Sequence, residues 1–490
     1  VIRKGEMEMP IDLTIDSKFG MRYNFHIPNN WFIKETKATV LPKWIGYGNL
    51  NKEYTFKAHV PSGVKNVMID LSERLTDSYM IDNRLKGNID FSLDYGVKKY
   101  SNLRKYEVKA RPDLWYNGYD GIKLGMNIDG DYLKTHHIFQ GNVWLNTGLA
   151  KHSSLTENTE NDNMSYRLKY STSLTKYVKN SNVRMNISSL DGLSYMSIGY
   201  NIKDNTGSKS LDLSLNGYER EELSDLNYLF NDNLWTPEKK NTNITVHLSH
   251  SYTYLQNNKF RGQGEMNIVL KSSSLMSDYD FSQITMSIIN KSEIGKIHIN
   301  TRLFAQRGFG VFPYESQLYA AGANPEDMMH NKYTRSIGLI SRDLASFGNT
   351  TNNFQYGGGL NLRGYAGYFM TAESLNGNIN NYKGNSGIAF NSEVEITELI
   401  PYLNYFGLNS YIFMDIGAIN DNQFEENLSF SSLYMDAGIG WTLELSRLWG
   451  NKIESEPLLI RLDLPLFLNT PPPDQNYFQL RYLISINRAF

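Results

Sequence analysis

Cysteine is absent from all 490 residues of the chain. Without it there is no disulfide scaffold, no thiolate metal site and no cysteine nucleophile. Long apolar runs are absent too, because the richest stretch, residues 399–419, is interrupted by Pro401, Asn404, Asn409 and Asp415. A membrane-spanning helix needs about 18 or more consecutive apolar residues, so the sequence predicts no such helix.

The chain also lacks an excess of charge of either sign. It has 49 Lys and Arg against 51 Asp and Glu, which gives a formal net charge of -2. A nucleic-acid-binding domain normally carries a clear positive excess, so we expect no nucleic acid partner. No leader peptide is recognisable, since the chain opens with Val1 on charged residues, and we interpret it as a piece of a longer protein.

Aromatic residues and alternating polarity are what the sequence has in abundance. Aromatics make up 13% of the chain, with 33 Tyr, 23 Phe and 7 Trp. Residues 433–445 place a row of apolar side chains on one face of an extended strand: Leu433, Met435, Ala437, Ile439, Trp441, Leu443 and Leu445. The positions between them are polar or small, and the pattern returns at residues 478–487. This alternation is typical of a β-strand with one apolar and one polar face.

Strands of about 9–11 residues with two such faces have the length and character of strands in a membrane barrel. Only the outer face of a barrel must be apolar, and Tyr and Trp near strand ends suit its interfacial girdles. We therefore predict an all-β fold with a transmembrane antiparallel β-barrel of sixteen strands, in the lipid bilayer of a bacterial outer membrane. The alternative is a large soluble antiparallel sandwich that is polar on its outer face.

The first part of the chain differs from the rest. Short strands at residues 11–15, 21–27, 57–60 and 67–70, separated by Pro turns, predict a small β-sandwich over residues 1–88. Residues 89–115 are expected to be a connector, and residues 116–490 the barrel. We expect the N-terminal domain to lie in the periplasm.

The N-terminal segment resembles the β-domain that follows the catalytic domain in gluzincin metallopeptidases of the aminopeptidase-N type. The resemblance rests on residues 4–12 (KGEMEMPID), Trp44 and residues 61–75 (PSGVKNVMIDLSERL). The continuation at residues 111–125 is similar to membrane-associated members of Bacteroidota-like bacteria, in which a peptidase precedes a barrel. The zinc motif of that family, His-Glu-x-x-His, does not occur in this sequence. The resemblance thus implies that zinc and any peptidase activity belong upstream of Val1, with no catalytic residue, metal site or cofactor in this chain.

The barrel region has a resemblance of its own. Residues 357–365 (GGGLNLRGY) resemble the Arg-Gly-Phe/Tyr loop of the barrel-assembly and two-partner-secretion superfamily. Residues 390–396 (FNSEVEI) and 411–417 (YIFMDIG) follow in the order of that superfamily. The resemblance implies a loop folded into the lumen, where Arg363, Gly364 and Tyr365 form a lock and Asp415 binds the arginine.

A confined guanidinium needs a carboxylate partner, because an unpaired charge is costly away from water. Glu393 and Glu395, on the neighbouring strand, are candidates besides Asp415. The alternative is a solvent-exposed Gly turn in which Arg363 has no special role. Phe490, after an alternating strand, is typical of the terminal residue that an outer-membrane assembly machine reads.

Three functions follow from these patterns. The barrel is the membrane anchor of a periplasmic metallopeptidase-like protein, and it serves as an accessory subunit in the assembly or secretion of outer-membrane proteins. Alternatively it is an assembly or translocation channel in its own right. A plain porin is the third hypothesis. The partners expected in all three are the lipid bilayer and the outer-membrane assembly machinery, with other outer-membrane or periplasmic subunits in the first.

Overall fold

The structure is a computed structural model of the chain. It describes residues 1–490 except for residues 4–7, 32–34, 46–50, 78, 94–101, 152–162, 221–228, 230–234, 256–259, 339–353, 369–371, 374–378, 398–407, 421–431, 445–458, 474 and 487–490. Within the described residues, no helix has both the length and the apolar character that a membrane crossing requires. Strands make up most of the regular structure, and the α-helix of the described chain, α1, has four residues, Pro325–Met328. The prediction of an all-β chain is therefore confirmed.

The chain divides into two compact units. The first contains Val1–Arg111 and Ile128–Phe139, and the second contains Pro112–Asn127 and Gln140–Phe490. The first five strands of the chain are β1 Ile11–Ser17, β2 Arg22–Ile27, β3 Thr39–Val40, β4 Val64–Ile69 and β5 Ile89–Leu93. A 3₁₀ turn at Met80–Asn83 lies between β4 and β5.

The first four strands form one sheet in the order β3-β2-β1-β4. Leu13 and Ile15 of β1, Ile27 of β2 and Met68 of β4 are buried, which gives this sheet its apolar core. The strand predicted at residues 57–60 is wrong, because those residues are not in a strand and β4 begins at Val64. The second sheet that a sandwich requires is not among the described residues of this region.

Long strands follow. Up to residue 310 they are β6 Tyr106–Asn117, β7 Gly121–Tyr132, β8 His136–Asn146, β9 Met164–Ser173, β10 Ser181–Leu190, β11 Leu193–Lys203, β12 Lys209–Arg220, β13 Asn241–Leu255, β14 Phe260–Ser273, β15 Phe281–Ile294 and β16 Ile297–Gly310. The last five are β22 Ser386–Glu395, β23 Leu408–Asn420, β24 Leu433–Glu444, β25 Leu459–Leu468 and β26 Leu483–Ile486. Strands β5 and β6 therefore occupy part of residues 89–115, where a connector is predicted.

An insertion of residues 311–385 separates β16 from β22. Its strands are short: β17 Leu318–Tyr319, β18 Phe354–Tyr356, β19 Ala372–Glu373, β20 Ile379–Asn380 and β21 Lys383–Gly384. It also contains α1 and 3₁₀ turns at Tyr314–Ser316 and Arg363–Tyr365. We call this segment the insertion.

One large sheet contains eighteen strands of the described chain, so the predicted number of sixteen is wrong. Each strand from β9 to β16 pairs antiparallel with the next, β16 pairs with β22, and the ladder continues to β26. Two short strands, β5 and β18, raise the number and are also exceptions to the antiparallel order. β5 pairs parallel with β6, and β18 pairs parallel with β26. β18, with three residues, is too short to show the alternation on which the prediction depends. β5 does alternate (IDFSL), but it lies in the residues that are predicted to be a connector.

The large sheet has one apolar and one polar face. Large apolar side chains are exposed on the first face of successive strands: Met196 and Ile198 on β11, Leu213 and Leu215 on β12, Ile244 and Leu248 on β13, Ile284 and Met286 on β15, Ile388 and Phe390 on β22, and Ile412 and Met414 on β23. Polar side chains on the second face are buried: Ser197, Asn243, Lys271, Arg302, Asn391, Glu393 and Asp415. A continuous exposed apolar surface of this extent marks contact with lipid or protein rather than water.

Candidate functional site

The turn before Arg363 has a backbone that requires glycine. Gly359 has a φ of +57°, and a Cβ placed there would lie 2.6 Å from the carbonyl oxygens of Tyr319 and Gly322. Asn361 also has a positive φ, of 56°, a conformation that Asn adopts more readily than most residues. This tight turn leads into the 3₁₀ turn Arg363–Tyr365 and points its side chains at the polar face of the large sheet.

Arg363 is completely buried, with its side chain 0% exposed, and its guanidinium is surrounded by acids. Its Nε donates to Asp415 Oδ2 at 2.7 Å and its Nη2 donates to Asp415 Oδ1 at 2.9 Å, a bidentate pair. Its Nη1 donates to Glu393 Oε1 at 2.8 Å. The guanidinium carbon also lies 3.9 Å from the centre of the Phe413 ring, a cation–π contact. Strands β22 and β23 thus hold the arginine that the insertion supplies.

Two residues that the sequence analysis missed connect this arginine to β16 and to the glycine turn. Asn391 donates from Nδ2 to Asp415 Oδ1 at 3.1 Å and to the carbonyl oxygens of Leu360 and Asn361 at 3.2 Å. Arg302 of β16 donates to Asn391 Oδ1 at 3.0 Å and to the carbonyl oxygen of Gly359 at 2.8 Å. Both residues occupy polar positions of strands in which apolar and polar residues alternate, and this alternation is the signal by which the sequence could have identified them.

Gly364 and Tyr365 fit closely against strands β24 and β25. A Cβ on Gly364 would lie 2.2 Å from Leu468 Cδ2 and 2.8 Å from Asp436 Cβ, so only glycine fits without displacement. The Tyr365 ring packs edge-on against Tyr434, with 5.0 Å between ring centres. Its hydroxyl donates to Asn469 Oδ1 at 3.0 Å. We call Arg363, Gly364, Tyr365, Asp415 and Glu393 the lock.

Glu395, the other candidate, does not reach Arg363. It accepts a hydrogen bond from Asn300 Nδ2 at 3.1 Å, one step further along the same strand face. Asp463 of β25 is the acid that the sequence analysis did not propose, with its Oδ1 3.7 Å from Arg363 Nη1. Asp463 Oδ2 in turn lies 2.6 Å from Nε of Arg461. Asp436 is fully buried opposite Asp415 in the register, so acids outnumber guanidinium groups around the lock.

A second buried ion cluster holds the middle of the insertion. Asp191, in the turn between β10 and β11, accepts hydrogen bonds from Arg335 Nε at 3.0 Å and from Ser336 Oγ at 2.9 Å, both in the insertion. Its other oxygen accepts from Lys123 Nζ of β7 at 3.1 Å and from Asn117 Nδ2 at 2.9 Å. Burial alone raises the pKa of Asp191, but Lys123 and Arg335 outweigh burial and lower it below its ordinary value. Asp191 therefore remains ionised.

A third contact region lies at α1. Glu326 accepts from Lys271 Nζ of β14 at 2.7 and 2.5 Å, and from Ser316 Oγ at 2.6 Å. Glu315 accepts from Asn241 Nδ2 at the start of β13, at 3.0 Å. Together, the three contact regions bind the insertion to the polar sides of strands from β7 to β25.

The raised pKa of Glu315 predicts that the stability of the fold depends on pH. Burial raises its pKa to about 7, nearby Glu326 adds to the rise, and Asn241 and Lys271 oppose it. Because the folded-state pKa is raised, the stabilisation is complete below the ordinary pKa of about 4.3 and is lost as the pH rises through about 7. We expect wild-type stability to fall between pH 5 and pH 8 by on the order of 1–3 kcal/mol more than the stability of Glu315→Gln. Thermal unfolding measured across this range, with Glu315→Gln as the comparison, checks it. An equal fall in the variant would contradict it.

Two sequence predictions remain: Phe490 as the residue read by an assembly machine, and the expectation about metal sites. Phe490 lies outside the described residues. Among the residues that the structure describes, no three His, Asp or Glu side chains are placed to share a metal ion.

Comparison with known proteins gives only distant structural similarity. No protein-family model matches the chain, and no curated protein matches it. Among solved structures, OprD from Pseudomonas aeruginosa has a TM-score of 0.39 and 10% identity, covering 77% of this chain and 83% of its own. BamA from Haemophilus ducreyi lacking POTRA domains 1-3 has a TM-score of 0.40 and 13% identity, covering 78% and 70%. The outer membrane protein OpdK from Pseudomonas aeruginosa has a TM-score of 0.36 and 9% identity, covering 76% and 84%. These values are too low to place the chain in a family.

Proposed function

We propose that the large sheet closes into a transmembrane β-barrel of the outer membrane, with the insertion folded into its lumen, and that this barrel serves as a membrane anchor. The carrying observation is the contrast between the two faces of the sheet. The apolar face is exposed on strand after strand, whereas many polar side chains of the other face are buried, among them those that contact the insertion. A membrane barrel requires an apolar outer surface and permits a polar, filled interior.

Contacts between distant strands support the closure. Lys123 of β7 lies 3.1 Å from Asp191 at the end of β10, although three strand spacings separate β7 from β10 in the sheet order. In a flat sheet that separation would be about 14 Å. The sheet therefore curves toward its polar face, as the wall of a barrel does. The lock supports the same curvature, since Arg363 meets Glu393 of β22 and Asp463 of β25.

The filled interior favours an anchor over an open pore. Arg363 and Tyr365 are buried, and three separate contact regions hold the insertion in place. An insertion folded against the polar face argues against the wide conductance of a plain porin. Single-channel recordings in planar bilayers distinguish the two functions, because an anchor gives no large steady conductance and a porin does.

The resemblances in the sequence suggest what the anchor carries. In this proposal, a zinc peptidase domain of the aminopeptidase-N type precedes the N-terminal sheet in the periplasm, and the barrel is an accessory of outer-membrane protein assembly or secretion. The reading frame upstream of Val1 tests the first part, because a frame without His-Glu-x-x-His removes the peptidase. Depletion of this protein tests the second, because unchanged levels of other outer-membrane proteins would remove the accessory role.

A pair of neighbouring substitutions tests which face meets lipid. Ile284 and Thr285 follow each other on β15, with Ile284 exposed on the apolar face and Thr285 hydrogen-bonded to Gln306 on the other. We expect Ile284→Arg to destabilise the barrel by about 2–4 kcal/mol, because a charged side chain is costly on the lipid face. Thr285→Arg should cost less, since its side chain faces the polar interior. Urea unfolding in lipid vesicles measures both, and equal losses would contradict the assignment of faces.

A further inference from the structure

Asp436 of β24 is a buried carboxyl group that pairs with no cation in the described part of the chain. It is 0% exposed. The insertion covers it directly, since a Cβ placed on Gly364 would lie 2.8 Å from Asp436 Cβ and 3.2 Å from its Cγ. The backbone N–H of Gly364 faces the carboxyl group, but neither oxygen accepts a hydrogen bond of normal geometry from the described residues. An ionised carboxylate enclosed in this way is costly.

A second acid meets this carboxyl group. Asp415 of β23 lies directly opposite Asp436 in the strand register. Both residues are 0% exposed, and their carboxyl groups are within hydrogen-bonding reach of each other. Two ionised carboxylates here would repel each other, because like charges directly opposite in a sheet destabilise it. Two buried carboxyl groups that share a site avoid this repulsion by keeping one proton between them.

The neighbouring groups do not neutralise Asp436. The other charged and titratable side chains that face it are Arg363, Tyr365 and Arg481. Arg363 directs its guanidinium to Asp415 and Glu393 instead. The hydroxyl of Tyr365 donates to an asparagine side chain, and Arg481 donates to a glutamine side chain and to backbone carbonyl oxygens. From β25, the apolar residue Leu468 lies opposite Asp436 in the register.

We propose that Asp436 carries a proton at neutral pH and donates it in a hydrogen bond to Asp415. The proton removes the repulsion between β23 and β24 and joins these strands at the level of the lock. Asp415 stays ionised, which its bidentate pair with Arg363 requires. The insertion is thus held by a proton as well as by an arginine, and loss of the proton at higher pH weakens the lock. This role of Asp436 does not depend on what the barrel carries.

Infrared spectroscopy of the full chain in detergent tests for the proton directly. A neutral carboxyl group has a C=O stretching band that an ionised carboxylate lacks. At pH 7, we expect this band to remain when the spectrum of Asp436→Asn is subtracted from that of the wild type. Asp204→Asn is the matched control, because hydrogen bonds from Thr206 and Lys209 lower the pKa of Asp204 to about 2 and keep it ionised. Its difference spectrum should lack the band.

Thermal unfolding measured against pH is the second test. Asparagine at position 436 still has an N–H donor for Asp415 but has no proton to lose. We expect the unfolding temperature of the wild type to fall by several degrees relative to that of Asp436→Asn between pH 7 and pH 9. Asp436→Ser, whose hydroxyl can also donate to Asp415, replaces Asp436→Asn in both tests if the asparagine variant does not fold.

Each outcome decides for or against the shared proton. A difference spectrum without the C=O band would overturn it, and so would a difference in unfolding temperature that stays constant from pH 7 to pH 9. An unfolding temperature that rises with sodium at constant ionic strength, without the band, would assign a bound cation to the two acids instead. The gel shift that distinguishes folded from heated protein shows that each variant is folded. All of these results leave the anchor proposal untouched.

Discussion

Replacing Arg363 by alanine is expected to destabilise the folded chain by about 3–5 kcal/mol, the cost of breaking a buried ion pair from one side. The substitution leaves Asp415 and Glu393 buried without their principal cation, close to Asp436 and Asp463. It also removes the bidentate pair through which the glycine turn is attached to β23. The temperature to which a sample must be heated before its folded band disappears from the gel should fall by many degrees.

Arg261 provides a matched control for this experiment. It makes a bidentate pair with Glu293 of the same geometry, but its side chain is 68% exposed. Exposed ion pairs contribute little to stability because water and salt screen them, so Arg261→Ala should change the unfolding temperature little. Arg363→Lys should recover only part of the stability, because an ammonium group cannot form the bidentate pair. If Arg363→Ala and Arg261→Ala unfold at the same temperature, the buried lock does not stabilise the fold.

Replacing Asp191 by alanine is expected to cost a similar amount, about 3–5 kcal/mol, through a different part of the insertion. Asp191 is the acid that Lys123, Arg335 and Ser336 share. Its loss leaves Lys123 and Arg335 buried near each other. Asp120, whose Oδ2 lies 2.5 Å from Lys123 Nζ, compensates for only one of the two charges. Because Arg335 holds the insertion there, residues 335–336 should also become accessible to hydrogen exchange.

The two losses should be separable. Asp191 and Arg363 share no partner among the described residues, so the double variant Asp191→Ala with Arg363→Ala should lose the sum of both. As a control, Asp204→Ala removes a carboxylate in the turn after β11 that accepts hydrogen bonds from Thr206, Ser208 and Lys209, and it should not alter exchange in the insertion. Unchanged exchange at Arg335 in Asp191→Ala would show that this carboxylate does not hold the insertion.

The sequence revealed the strand faces and part of the lock. Alternation identified the polar positions of β22 and β23, and the resemblance of residues 357–365 singled out Arg363 and Asp415. Alternation could not choose between Glu393 and Glu395, because both lie on the same face of one strand. The turn geometry and the distance along the strand decide it, and Glu393 is the residue within 2.8 Å of Arg363.

The Asp191 cluster could not be predicted from the sequence, and the reason is a different one. Its members come from the end of β6, the start of β7, the turn after β10 and the insertion. Asp191 and Arg335 are separated by 144 positions along the chain. No periodic pattern connects such residues, because each is a single polar residue at a turn or strand end. The number of strands was wrong for a similar reason, since β18 is three residues of a loop that become a strand only by pairing with β26.

The pairing of β18 with β26 has a consequence for the order in which the molecule forms. Phe354 lies beside Ile484 and Tyr356 beside Ile486 in the register, so a segment of the insertion aligns with one about 130 residues later in the chain. Contacts of such long sequence separation form slowly, because a large loop must close before they contribute free energy. Neighbouring strands that are joined by two-residue turns, such as β10 with β11 and β15 with β16, can pair first. We therefore expect the insertion to pack against the polar face late in folding. A time-resolved labelling experiment should find residues 354–356 among the last to gain protection from the label.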